Sequence, residues 1–169
     1  MKINKIYILT GCDGTGKTTL ANKIAEETKG HVLHCSYNKD WNIEQYHIDI
    51  METAQKLVKY QDVVIDRWAM DEFVYGTVFR GGPSYDTSAL IEKYHDDNIV
   101  YIYCENENTI ENHKNNSKRR QEMFDDMEKV VEEFEDYIKF TTNNWLGIPW
   151  FRYNFNWIDI NTFVEEITR

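Results

Sequence analysis

The apolar positions of this 169-residue chain follow two alternating rhythms. Short runs that are apolar almost throughout (Ile3 to Thr10, His31 to Ser36, Asp62 to Asp66, Ile99 to Cys104 and the aromatic stretch Trp150 to Phe155) read as strands. Between them the apolar residues recur at helical spacing. Leu20, Ala21, Ile24 and Ala25 share one face of a helix predicted from Thr18 to Lys29, and Ile43, Tyr46, Ile50, Met51, Ala54, Leu57 and Val58 mark a second. Trp68 to Phe79 predicts a third, stopped by Gly81-Gly82-Pro83, and Asp86 to Asp97 a fourth. Asn108 to Ile138 is a long helical tract interrupted by the polar segment Lys114 to Arg120, and Thr162 to Ile167 is a short last helix. Strands without a polar face need cover on both sides, so their alternation with helices predicts an α/β fold, a parallel sheet with helices on both faces. No repeat or linker breaks the pattern, and one domain is expected over residues 1–169.

Charge narrows the range of partners. With 29 acidic against 19 basic residues the net charge is −10, which disfavours broad attraction to nucleic acid or to an anionic membrane. A single positive cleft on such a chain could still take a polynucleotide end. No apolar run approaches the ~20 residues of a membrane span, and the first residues read as a strand entering a turn rather than a cleavable signal. Cys12, Cys35 and Cys104 form neither an even disulfide framework nor a CxxC pair, so a cytoplasmic protein without thiolate metal sites is expected. The histidines show no metal spacing, and His47 and His95, inside predicted helices, read as structural or exposed.

The chemistry is concentrated in Gly11-Cys12-Asp13-Gly14-Thr15-Gly16-Lys17-Thr18, followed by Thr19, which fits G-x-x-x-x-G-K-[ST] between a predicted strand and a predicted helix. The glycines let backbone N–H groups turn inward around a phosphate, and the helix presents its positive end to the same anion. Lys17 would bridge the β and γ phosphates of ATP, and the Thr18 hydroxyl would ligate Mg²⁺. Asp66-Arg67 stands at the carboxyl end of the strand DVVID, the edge that faces the ligand crevice in open α/β sheets. There Asp66 can hold the Mg²⁺ hydration shell and Arg67 can clamp a phosphate. Lys118-Arg119-Arg120 is either a solvated helix face or a basic segment that closes over the nucleotide and excludes water.

The run Thr10 to Leu20 resembles the phosphate-binding loop of thymidylate kinases, written EGxDGxGKST, and Asp66-Arg67-Trp68 with Tyr75 is similar to that family's DRY…AYQG segment. The resemblance implies a P-loop NTPase three-layer fold: a five-stranded parallel sheet, surrounding helices and a lid, here near residues 113–122. It implies ATP–Mg²⁺ as donor, Asp13 near the acceptor sugar, Arg67 on the acceptor phosphate, and a homodimer paired through helices beside the Asp66-Arg67 segment. Gly14 occupies a loop position that is arginine in some members, so the lid residues Arg119 and Arg120 become the candidate cations for the transition state. The chain is shorter than a typical member, which suggests a trimmed, virus-encoded form acting in the host cytoplasm.

Departures from the pattern leave the acceptor open. Thr10 replaces a glutamate, Asp71 a serine, and Gly76 the glutamine associated with the base. Asp71 either caps the helix starting near Met70 or accepts a hydrogen bond from an exocyclic amine or a modified base. Tyr37, Trp41, Phe73 and Tyr75 lie in segments expected to border the acceptor pocket, with Phe73 the candidate for stacking on a base and core packing the alternative. The expected activity is transfer of the ATP γ-phosphoryl group to a deoxynucleoside monophosphate, a small-molecule acceptor. The alternatives are phosphorylation of a 5′-hydroxyl with Asp66 as general base, phosphorylation of a polynucleotide end or of a modified base in DNA, and a non-catalytic ATP-binding module.

Overall fold

The computed structural model describes residues 3–109, 111, 127–144 and 148–169. The lid expectation over 113–122, and with it Lys118, Arg119 and Arg120, lies outside the described residues. Five parallel strands, β1 (Ile6–Thr10), β2 (His31–His34), β3 (Val63–Asp66), β4 (Ile99–Cys104) and β5 (Trp150–Tyr153), form one sheet in the order β2-β3-β1-β4-β5. Among the described residues the helices are α1 (Lys17–Thr28), α2 (Ile43–Leu57), α3 (Ala69–Arg80), α4 (Thr87–Tyr94), α5 (Met127–Asn144) and α6 (Ile160–Thr168). Each expected strand is present; β4 keeps the bounds of its apolar run, and the other four are one to three residues shorter because pairing stops where the chain leaves the sheet.

The central strands are buried along their whole length, which is why they lack a polar face. Ile6, Ile8, Val63 and Ile65 point into one core with Met51, Trp68, Val74 and Phe134. Tyr7, Leu9, Val64 and Ile102 point into the other, under Leu20 and Ile24 of α1 and Phe163 of α6. Each fully buried aliphatic side chain contributes roughly 1.5–3 kcal/mol of transfer free energy, so these two layers are what fixes the strand register, with Ile8 opposite Ile65 and Tyr101.

The topology creates the crevice. After β1 the chain moves to the layer containing α1, and after β3 it moves to the opposite layer containing α3. Neighbouring strands whose connections leave in opposite directions open a gap beyond their carboxyl ends. The phosphate-loop sequence follows β1 and Asp66-Arg67 ends β3, so both reach that gap. Among the described residues no helix is long and apolar enough to cross a membrane.

Candidate active site

Gly14 and Gly16 both adopt a φ of 80°, a conformation that costs glycine little, and Gly16 is the N-cap of α1. The loop therefore turns tightly into a helix N-terminus, a place that favours anions. Lys17 is buried, and its ammonium donates to the Cys12 carbonyl and to the Thr15 hydroxyl, at 3.3 Å for the latter. Burial draws the Lys17 pKa down, and the nearby Arg67 charge adds to the effect. An anion seated between the two cations relieves both penalties.

Asp66 is a buried carboxylate at the tip of β3, and burial of such a group is costly unless it is partnered. The Thr18 hydroxyl donates to its Oδ2 at 2.8 Å, and His34 Nδ1 lies 3.0 Å from the same oxygen. Oδ1 is buried with no hydrogen-bond partner among the described residues. A hydroxyl and a carboxylate oxygen left unpaired are hard donors that suit Mg²⁺, which takes few protein ligands and completes its octahedron with water and phosphate. Among the described residues no group of three or more His, Cys, Asp or Glu side chains is placed to hold a metal ion.

Arg67 has a φ of 73°, left-handed for a residue with a side chain and costing about 1–2 kcal/mol. Its N–H is tied to the Leu9 carbonyl at 3.0 Å, and its guanidinium turns back to pair with Asp13 and to donate to Asp71 Oδ1 at 3.0 Å. Asp71 Oδ2 accepts the Thr10 hydroxyl at 2.8 Å and the Trp68 N–H at 3.4 Å. Asp71 thus caps α3 from its third position, and it also anchors Arg67. The two departures Thr10 and Asp71 touch each other.

A cavity of about 920 Å³ joins these parts, running from the loop and Lys17 past Arg67 and Asp71 to Glu72, Phe79 and Arg80. At that far end Glu72 Oε1 accepts Ser84 N–H at 2.9 Å, Ser84 O–H at 2.6 Å and Arg80 Nη2 at 2.6 Å. The Arg80 guanidinium lies 4.7 Å from the centroid of the Tyr37 ring, which also lines the cavity. A smaller hollow of about 160 Å³ lies beside Cys12, Thr15, Asn154 and Trp157.

Several expected residues fall elsewhere. Phe73 does not line the cavity; its ring packs on Tyr137 of α5 with centroids 4.8 Å apart, so the core alternative is the correct one. Trp41 leans on Tyr46 at 5.0 Å and is also absent from the lining, whereas Tyr37 and Tyr75 are part of it. His47 is not exposed: it lines the cavity, buried, with Nδ1 2.6 Å from the Tyr85 hydroxyl. Gly76 stands where it does because a Cβ there would sit 2.7 Å from Pro83 Cα. Glu72, Arg80 and His34 escaped the sequence reading. A signal for the first existed, since Glu72 and Phe79 are seven residues apart on α3 and share a face.

No family model and no curated protein matches this chain. Solved structures do. The YorR protein of Bacillus subtilis, crystallised in complex with phosphorylated GDP, matches at a TM-score of 0.67 and 18% identity over 96% of this chain and 93% of its own. Deoxyadenosine kinase of M. mycoides with bound dCTP matches at 0.60 and 17% over 96% of both chains. Thymidylate kinase of Ehrlichia chaffeensis matches at 0.57 and 14% over 98% of this chain and 97% of its own. With its five-stranded parallel sheet and its glycine loop on the crevice edge, this chain has the fold of these three proteins.

Proposed function

We propose that the protein is an ATP-dependent kinase of deoxynucleoside monophosphates, moving the γ-phosphoryl group to a 5′-phosphate to give a diphosphate. One observation carries this reading: a single cavity joins the phosphate loop, with Lys17 and Thr18, to Arg67 held between Asp13 and Asp71. Fold neighbours that bind phosphorylated GDP or dCTP support a nucleotide in that space.

In this scheme the loop N–H groups and Lys17 hold the donor's β and γ phosphates, and Arg67 receives the acceptor phosphate, exchanging an intramolecular carboxylate for it. An acceptor oxygen forms the new bond to the γ phosphorus while the bond to the β–γ bridging oxygen breaks, and ADP leaves with that electron pair. Thr18 and Asp66 would hold Mg²⁺, which when bound neutralises charge on the β and γ phosphates. A phosphate acceptor is already a nucleophile at neutral pH, so alignment and charge compensation suffice. Asp13 is assigned to the acceptor sugar, and the donor base to the side of the loop bounded by Asn154 and Trp157.

The carboxylates favour this acceptor over a hydroxyl. A hydroxyl needs a general base, whereas this scheme gives Asp66 to the cation beside Thr18, and Asp71 holds the Thr10 hydroxyl, the Trp68 N–H and Arg67. The competing reading, a deoxynucleoside kinase, draws support from the deoxyadenosine kinase among the fold neighbours. A coupled ADP-release assay across nucleosides and monophosphates separates the two. Turnover with monophosphates that is lost in both Lys17→Ala and Arg67→Ala is expected; a fully active Lys17→Ala enzyme, or turnover with nucleosides alone, would refute the proposal.

A further inference from the structure

We infer that the far end of the cavity reads the acceptor base with a fixed carboxylate, so that bases carrying an exocyclic amino group are accepted in preference to thymine or uracil. The inference rests on the kinase reading above and names its substrate class. Glu72 carries it. This residue is the fourth of α3, whereas Arg67 precedes the helix and its N-cap Trp68, so Glu72 stands beyond Arg67 in the direction that α3 runs. It is 5% exposed and lines the cavity. Its Oε1 collects the three bonds from Ser84 and Arg80, which fix the plane of the carboxylate, and Oε2 takes part in none of them. Burial works to raise the Glu72 pKa, but the Ser84 and Arg80 donors outweigh it and hold it below the ordinary carboxylate value. At neutral pH the group is therefore ionised and can only accept.

An acceptor-only anion at the base edge selects by hydrogen-bond polarity. Cytosine, adenine and guanine each bring an amino group with two N–H donors at the rim of the ring. Thymine and uracil bring one N3–H flanked by two carbonyl oxygens, and those oxygens meet the negative charge of Glu72. Facing a buried carboxylate with a carbonyl costs more than losing a neutral hydrogen bond. Arg80, stacked on Tyr37 and paired with Glu72 through Nη2, keeps its other N–H groups for the ring nitrogen or carbonyl beside the amine. The wall between Arg67 and Arg80 is aromatic: the rings of Tyr75 and Phe79 stack with centroids 6.0 Å apart and planes 15° from parallel, and both line the cavity. Asp71, the neighbouring carboxylate on this helix, is already bonded by Arg67, Thr10 and Trp68.

The test compares dCMP, dAMP, dGMP and dTMP with the full chain, measuring equilibrium binding by calorimetry and initial rates of ADP release, for the native protein and for Glu72→Gln. For the native protein at least one amino-bearing acceptor should exceed dTMP by about 100-fold or more in affinity and in kcat/KM, since sites built around a buried polar group reject ligands that cannot pair with it. Glu72→Gln should shrink that gap at least tenfold, because an amide can donate to the thymine carbonyl. Native protein that uses dTMP as well as the others overturns the inference, and so does a Glu72→Gln protein that keeps the full preference. The native comparison needs no variant and stands even if Glu72→Gln fails to fold. Selective binding of amino-bearing monophosphates without any phosphoryl transfer would overturn the kinase reading while upholding the base rule.

Discussion

The hydroxyl of Thr10 and the carboxylate of Asp71, sixty-one residues apart in sequence, form a buried hydrogen bond of 2.8 Å. The thymidylate kinase pattern that this chain resembles has the carboxylate on the loop and the hydroxyl on the helix. Here the two groups have exchanged places, and Asp71 holds Arg67 through its other oxygen. The exchange predicts a double-mutant cycle. Asp71→Ser should destabilise the fold by about 2 kcal/mol, because it takes a buried carboxylate from the half-buried Arg67 guanidinium and from the Thr10 hydroxyl. Thr10→Glu should set two carboxylates against each other and cost at least as much. The double variant should be more stable than the sum of the two losses by roughly 1–3 kcal/mol, the range for residues in one network. Urea unfolding of the four proteins measures the coupling, and strict additivity would show that the exchange is accidental.

The Thr18–Asp66 bond makes a second prediction. Thr18→Val takes a donor from the buried Asp66 carboxylate and should cost about 1–3 kcal/mol of unliganded stability, so each ligand effect is read against the variant's own unliganded melting point. The ligand effect should fall on the cation: the thermal stabilisation given by ATP with Mg²⁺ should drop toward that given by ATP with EDTA, and kcat/KM should fall about 100-fold, near 2.7 kcal/mol. Unchanged Mg²⁺ dependence would remove Thr18 and Asp66 from the metal site.

Gly76→Ala tests why the helix lacks the family's glutamine. In an exposed helix the change would stabilise by about 1 kcal/mol. Here the new Cβ meets Pro83 Cα at 2.7 Å and the Gly82 carbonyl at 2.9 Å, both backbone, so the 82–83 turn must move. A net loss of about 1–3 kcal/mol is expected. Because Ser84 follows that turn and binds Glu72, acceptor KM should rise as well. Calorimetric melting and acceptor titration check both, and a stabilised variant would show that the turn yields freely.

How far the chain could be read from its letters depended on whether a residue's task was local. The strands and the phosphate loop were legible because burial on both faces leaves no polar face in VVI or IVYIYC, and because the loop chemistry is contiguous in sequence. Phe73 and Tyr75 were not distinguishable, since both are aromatic on α3 and only the packing of α5 decides that Phe73 meets Tyr137 while Tyr75 meets the cavity. His34 was passed over, and His47 stood between a structural and an exposed reading, because what each touches is entirely tertiary, one lying against Asp66 and the other facing Tyr85 across 38 residues. Glu72 reads as an ordinary helical glutamate until the Gly81–Pro83 turn brings Ser84 back onto it.

His47 sets the acid limb of stability. Burial lowers its pKa from 6.5 to about 4, partly opposed by Glu72, so the folded histidine stays neutral where the unfolded one takes up a proton. Between those two values the unfolded state binds more protons, and stability must fall as pH falls. The contribution is complete above pH 6.5 and is lost progressively toward pH 4. At ~1.4 kcal/mol per pH unit, the drop from pH 7 to pH 5 should be about 2 kcal/mol from this residue alone. His47→Gln removes the titration, so urea midpoints taken at pH 7 and pH 5 should converge by that amount relative to the native protein. If the variant loses as much stability over the interval as the native chain, the buried neutral histidine is not what makes the fold acid-sensitive, and the protons must be taken up elsewhere.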